Sequence, residues 1–243
     1  MTASPSTPPA TGHRRDRPLK RAPAGTSLRE RKKRRTRQTL IDTALELFTQ
    51  RGFGSVTLDE LCDHVEVSKR TFFRNFTSKE DVAMAPLQDF WTAFLEELQT
   101  IRPDGGPLLE LARDALLSAV DRVADEEWAH RTLLSLRLAE QTPSMHAHGL
   151  HFCERTTQAA LEILRGRFEL EDRGDPRPRL AADILIVAFR YGLTIWADQA
   201  THTSEPTSTP QPAKQELAIR FREAVAALPG SLTLTAAPRH THR

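Results

Sequence analysis

Apolar residues in this chain recur every three or four positions and nowhere alternate with polar ones over the length of a strand. A helix repeats every ~3.6 residues and a strand every two, so the pattern restricts the fold to helices packed on helices. The clearest stripe is Leu40, Ile41, Ala44, Leu45 and Phe48, in a helix expected over 28–52 and stopped by Gly52. Three short helices should follow. Thr57-x-x-Glu60 is a capping-box pattern ahead of Leu58, Leu61, Cys62 and Val65, and Ser68 can cap a very short helix through Phe73. Ser78-x-x-Asp81 has the form of a second box and opens a longer helix. Pro86 falls about two turns inside it, where the helix must kink or restart.

Further helices are expected over 108–124, 126–139, 144–167 and 178–200, and a last one over 213–228 carries Leu217, Phe221, Ala224, Val225 and Leu228 on one stripe. A turn at 103–107 and the loop 201–212, THTSEPTSTPQP, separate them. The fold class is therefore all-α, with about nine helices. Residues 1–27 and 229–243 have the composition of a disordered arm and tail. No apolar run reaches the length of a membrane span, and the amino terminus has no hydrophobic signal core, so a cytoplasmic protein without a membrane partner is expected. Cys62 and Cys153 lie within apolar helical patterns and do not indicate a disulfide framework.

The net charge of +2 hides an asymmetry. The first 40 residues hold twelve Lys or Arg against two Asp or Glu, a balance of +10; the first 80 total +8 and the remaining 163 carry −6. Seven basic residues fall within 29–37. A basic front on an acidic rear suits a polyanion-binding module, although a solvated helix start would also account for the run.

Residues 57–76, TLDELCDHVEVSKRTFFRNF, supply the geometry that charge alone does not. A short helix, a tight turn at 65–67 and a second short, polar helix make a helix-turn-helix. A helix is about 10–12 Å wide and fits the major groove of B-DNA. With Leu61, Cys62 and Val65 facing inward, Lys69, Arg70, Thr71 and Arg74 are left to face out.

At this point the residues resemble the TetR family of bacterial regulators. The matching pieces are Ala44-x-x-Leu47-Phe48, Gly52-Phe53, Val56-Thr57, Leu61-Cys62, Val67-Ser68, Thr71-Phe72-Phe73, Phe76 and Ser78-Lys79-Glu80. The resemblance implies a homodimer that sets two recognition helices on a near-palindromic operator in double-stranded DNA. It also implies a carboxy-terminal domain that answers a small-molecule effector, with repression as the usual outcome and the nucleoid as the place of action. It divides the chain into a DNA-binding domain at 28–83 and an effector-binding and dimerisation domain at 84–228. The DNA-binding residues it implies are Thr57, Ser68, Lys69, Arg70, Thr71, Phe73, Arg74, Asn75 and Lys79. Three positions depart from the family's habit: Glu66 stands where a turn glycine is common, Phe73 where Tyr is frequent, and Asn75 where His is frequent.

Each residue also has a plain structural reading. Thr57 is an N-cap, and Phe72, Phe73 and Phe76 suit packing. Lys79 at a helix start opposes the helix dipole, which favours a phosphate partner for it. His146, His148, His151 and Cys153 invite a metal site, but on a helix only His148 and His151 share a face, so no metal is expected. Catalytic motifs and nucleotide loops are not discernible, so neither catalytic residues nor a cofactor are expected. A helical enzyme or small-molecule carrier with a basic solubilising tail is the alternative.

Two expectations concern the second domain. Residues 180–196 are apolar nearly all round, through Leu180, Ile184, Leu185, Val187, Phe189, Leu193, Ile195 and Trp196, so this helix should be buried on more than one side and pair with the last helix in a four-helix dimer interface. Arg190 interrupts that stretch without a carboxylate three or four residues away in its own helix. It needs a partner from another helix, the other subunit, solvent or an effector, and Trp91, Phe94, Trp128 and Leu133 are candidate walls for an effector pocket around it.

Overall fold

The computed structural model describes residues 27–102, 105–170, 174–202 and 213–235. Among them lie ten α-helices: α1 Leu28–Arg51, α2 Leu58–His64, α3 Lys69–Phe73, α4 Lys79–Ala83, α5 Ala85–Thr100, α6 Leu108–Val123, α7 Glu126–Gln141, α8 Pro143–Arg167, α9 Arg177–His202 and α10 Ala213–Leu232. The tenth arises because Pro86 restarts the helix: α4 closes at Met84 and α5 begins at Ala85, with the proline in its first turn, where an N–H has no partner to lose. The arm at 1–26, part of the turn at 103–107, the loop at 203–212 and the tail at 236–243 lie outside the described residues.

Two compact units divide between Thr36 and Arg37. In the first, Ser27 and Glu30 cap α1 reciprocally: the Ser27 N–H donates to Glu30 Oε2 at 2.8 Å and the Glu30 N–H to Ser27 Oγ at 3.2 Å. In the second, the capping box before α2 forms as the sequence requires, with both Thr57 and Glu60 bonded to each other's main chain. The box at α4 is shifted by one residue. Ser78 Oγ accepts from the Asp81 N–H at 3.1 Å, but the Asp81 carboxylate takes the N–H of Thr77, at 2.7 Å, rather than that of the cap.

Two further expectations are corrected. Helix α10 runs to Leu232, through Pro229, instead of ending at Leu228. The proline φ suits a helix, and Ser231 Oγ donates to Ala227 O at 2.9 Å, so the last turn is held by a side chain. Helix α9 is, by length and composition alone, apolar enough to cross a membrane: within its Arg177–Ala200 stretch an 18-residue window has a mean hydropathy of 1.5. Asp183 and Arg190 interrupt the apolar run. This helix is central to the core instead, packed on α6, α8 and α10. Phe189 stacks on Phe90 at 4.5 Å and meets Trp91 and Phe221 edge-on, while Trp196 stacks on Trp128. Helices α9 and α10 approach closely at Gly192, where a Cβ would stand 2.9 Å from the main-chain nitrogen of Phe221. The opposite face of α9 is uncovered: Leu180, Val187 and Tyr191 are 54%, 61% and 60% exposed.

Candidate nucleic-acid interface

Helix α3 has five residues, too few to be stable alone, so its placement depends on what lies beneath it. Phe72 and Phe76 are fully buried with Leu40, Leu45, Phe48, Val56 and Leu61 and anchor it from below. Ser68 caps it from the turn: Ser68 Oγ accepts from the Thr71 N–H at 3.2 Å and shares a hydrogen bond with Thr71 Oγ at 3.0 Å. Glu66 makes that turn with φ at 54°, the left-handed region that disfavours a side chain.

What remains on the outer side is cationic. Ser68, Lys69, Arg70, Phe73 and Arg74 are exposed. Lys69 Nζ pairs with Asp59 of α2 at 2.6 Å, and that hydrogen bond raises its pKa. Arg70 and Arg74 hold no ion pair among the described residues, so their guanidinium groups are available to an outside anion. Phe73 does not pack as its aromatic character suggested: it is 55% exposed, touching only the edge of Phe72 at 5.5 Å.

Three of the sequence-selected residues are turned elsewhere. Thr57 is occupied in the capping box, its hydroxyl 3.0 Å from Glu60 Oε2. The Thr57 N–H, the Arg51 guanidinium and the Thr57 hydroxyl together hold the Glu60 carboxyl down to about 2. Asn75 is half-buried; its Nδ2 donates back to Thr71 O at 2.8 Å. Lys79 has a reason for its place other than a phosphate. Its ammonium donates to Phe53 O at 2.8 Å and Val56 O at 2.6 Å and lies 4.6 Å from the Phe53 ring centre. It ties the α1–α2 turn to α4, which compensates for the unfavourable dipole. Arg37, the last residue of the basic run, is likewise engaged, in a two-bond pair with Asp89 at 2.7 and 2.8 Å.

A cavity of about 230 Å³ opens among α5, α7, α8 and α9. Met84, Leu87, Trp91, Leu136, Met145, Phe152, Cys153, Phe189, Arg190 and Leu193 line it. Trp91 and Arg190 are thus brought together as expected, but the other candidate walls are not. Phe94 faces a separate apolar cleft of about 20 Å³. Trp128 is buried in the aromatic stack, its indole N–H bonded to Pro86 O at 2.9 Å, and Leu133 is half-buried against the core. Size and apolarity cannot tell a wall of a cavity from a filler of the core; Met145 and Cys153, on the inner stripe of α8, carried no stronger signal than Phe94. Among the described residues no three His, Cys, Asp or Glu converge on a metal position. His148 instead lies 3.2 Å from the side chain of Gln88 and 3.8 Å from Asp81.

Residues 40–85 match the family model for bacterial regulatory proteins of the tetR family. The chain is 38% identical over 178 residues to the HTH-type transcriptional regulator TcmR of Streptomyces glaucescens, an alignment covering 72% of this chain and 78% of that protein. It is 31% identical over 98 residues to the HTH-type transcriptional repressor NemR of Escherichia coli, covering 40% and 48%. Among solved structures, the fatty acid degradation regulator FadR of Bacillus halodurans shares the fold with a TM-score of 0.50 at 16% identity, over 82% of this chain and 97% of that one.

Proposed function

Because the chain belongs to the TetR family of bacterial regulatory proteins, we propose that it regulates transcription by placing α3 of each of two subunits in the major groove of a near-palindromic operator. The observation that carries the reading is the outer side of α3, where Arg70 and Arg74 stand free of carboxylates beside an exposed Phe73. An arginine can read a guanine edge with two hydrogen bonds, and a phenylalanine ring can meet a thymine methyl. Ser68, Lys69 and Thr71 flank them and contact the DNA backbone, whereas Thr57, Asn75 and Lys79 act by holding the helix in place. A regulator of this family works in the cytoplasm, where the chromosome is.

The dimer uses the uncovered face of α9, with Leu180, Val187 and Tyr191, together with α10. This arrangement sets the two recognition helices about 34 Å apart. The DNA-binding domain spans 28–83 and the effector and dimerisation domain 84–232, the latter extended by the last turn of α10. The cavity is the effector site. Met84 links it to the DNA-binding side: it lines the cavity at the break between α4 and α5, its sulfur 3.8 Å from Ser135 Oγ. A ligand that displaces Met84 moves α4, and Lys79 carries the movement to the α1–α2 turn, releasing the operator in a repressor.

The test begins with an operator selected from a random duplex library. Arg70→Ala should weaken binding to it by roughly 1–3 kcal/mol, about 5- to 150-fold, and relax one base position. Unchanged affinity and unchanged preference would refute the assignment. Sedimentation that shows a monomer at micromolar concentration, with one protein bound per site, would refute the dimer.

A further inference from the structure

What the cavity binds can be taken further, on the reading that it is the effector site. We propose that its ligand is an organic anion with an apolar body, the acidic group seated against Arg190. Other arginines of this domain that reach a neighbouring helix have partners there: Arg122 pairs with Glu96 and Glu97, Arg131 with Asp42 and Glu127, Arg179 with Glu154 and Asp183, and Arg167 donates to the carbonyls of Leu98 and Ile101. Arg190 has no such partner among the described residues. The acid seven residues earlier on its helix, Asp183, is taken by Arg179 at 2.7 Å. Glu140 and His146 stand on the exposed rim of the cavity, and neither forms an ion pair with Arg190.

The guanidinium charge is felt inside the cavity rather than only outside it. Burial pushes the Cys153 thiol up, and the positive charge of Arg190 pulls it part of the way back. Around this cation the walls are apolar and aromatic: Leu87, Trp91, Met145, Phe189 and Leu193. Arg190 is exposed to solvent as well as lining the cavity, so it can meet the acidic group of a ligand whose apolar body removes the surface of these walls from water. Arg190 also lies about 80° around α9 from the stripe of Leu180, Val187 and Tyr191, on the side of the cavity. Its charge therefore belongs to the cavity wall more than to the dimer face.

The full-length protein can be tested with dodecanoate and 2-naphthoate below their aggregation limits, each beside its neutral counterpart, dodecan-1-ol and 2-naphthamide. Binding is followed by thermal shift and by quenching of tryptophan fluorescence, since Trp91 lines the cavity. At least one anion should bind tenfold or more tightly than its neutral counterpart. Arg190→Met should level the pair, Arg190→Lys should keep part of the difference, and Leu136→Trp, which fills the cavity, should abolish both. Equal binding of acid and neutral forms by the wild type overturns the proposal, as does an anion preference that survives in Arg190→Met, or no binding by any probe. Should Arg190→Met dissociate the dimer yet leave anion binding intact, Arg190 serves the interface and the proposal again fails. Operator affinity, measured in parallel, separates this from the effector reading. Anions that bind at Arg190 without changing operator affinity support the anion site and refute the effector role. Neutral probes that release the operator as well as anions do support the effector role and refute the anion site.

Discussion

Lys79→Met separates a structural brace from a phosphate contact. In the fold the ammonium makes two charge-assisted hydrogen bonds, to Phe53 O and Val56 O at 2.8 and 2.6 Å, and lies over the Phe53 ring. A hydrogen bond to a charged group contributes about 1.5–3 kcal/mol, and a partly exposed cation–π contact about 0.5–1 kcal/mol. The site is half-buried, so water can reach one of the carbonyls once the ammonium is gone, and the two bonds share one donor group. A loss of about 2–4 kcal/mol follows, with methionine retaining the apolar stem. For a chain of this size that is a fall in melting temperature of roughly 5–15 °C, read by circular dichroism at fixed protein concentration. The salt dependence of operator binding, measured well below the new melting temperature, should keep its slope, because a phosphate was not being neutralised. An unchanged melting temperature with the slope flattened by about one unit would refute the brace and restore the phosphate contact.

Other perturbations have equally local origins. Asp59→Asn frees Lys69 from its ion pair at 2.6 Å and should strengthen binding to random duplex while steepening its salt dependence; weaker binding would mean that Asp59 orients Lys69 productively. Gly192→Ala gains about 1 kcal/mol of helix propensity but drives a Cβ into the α10 backbone, which costs about 1–3 kcal/mol, so a net loss is expected in urea titration. Gly149→Ala meets only the flexible end of Met84, at 3.3 Å, and should be neutral or stabilising by the same assay. The Glu60 carboxyl is held at about 2 in the fold, so the folded state binds fewer protons than the unfolded one between that value and the ordinary carboxylate range. The stability it contributes is complete above about pH 5 and lost as pH falls toward 2; a wild type to Glu60→Gln difference that stays constant over that range would contradict this.

Periodicity and caps were sufficient to locate the helices because both act over one or two turns. Leu40, Ala44, Leu45 and Phe48 define the buried stripe of α1, Thr57 and Glu60 close their box within four residues, and Pro86 cannot donate a hydrogen bond wherever the rest of the chain goes. The outward set Lys69, Arg70 and Arg74 and the missing helical partner of Arg190 were legible for the same reason. Tertiary structure decided what those local rules leave open. Lys79 finds its carbonyls 23 and 26 residues away. Asn75 turns back on its own helix, and Phe73 is left in the open once Phe72 and Phe76 have filled the core. Phe94, Trp128 and Leu133 share the apolarity of Trp91, yet only Trp91 borders the cavity, since that depends on how four helices from separate parts of the chain meet. A sequence records which side chains must leave water; which neighbours they then meet is set by close packing between distant segments, and the cavity beside Arg190 and the carbonyls that hold Lys79 are of that second kind.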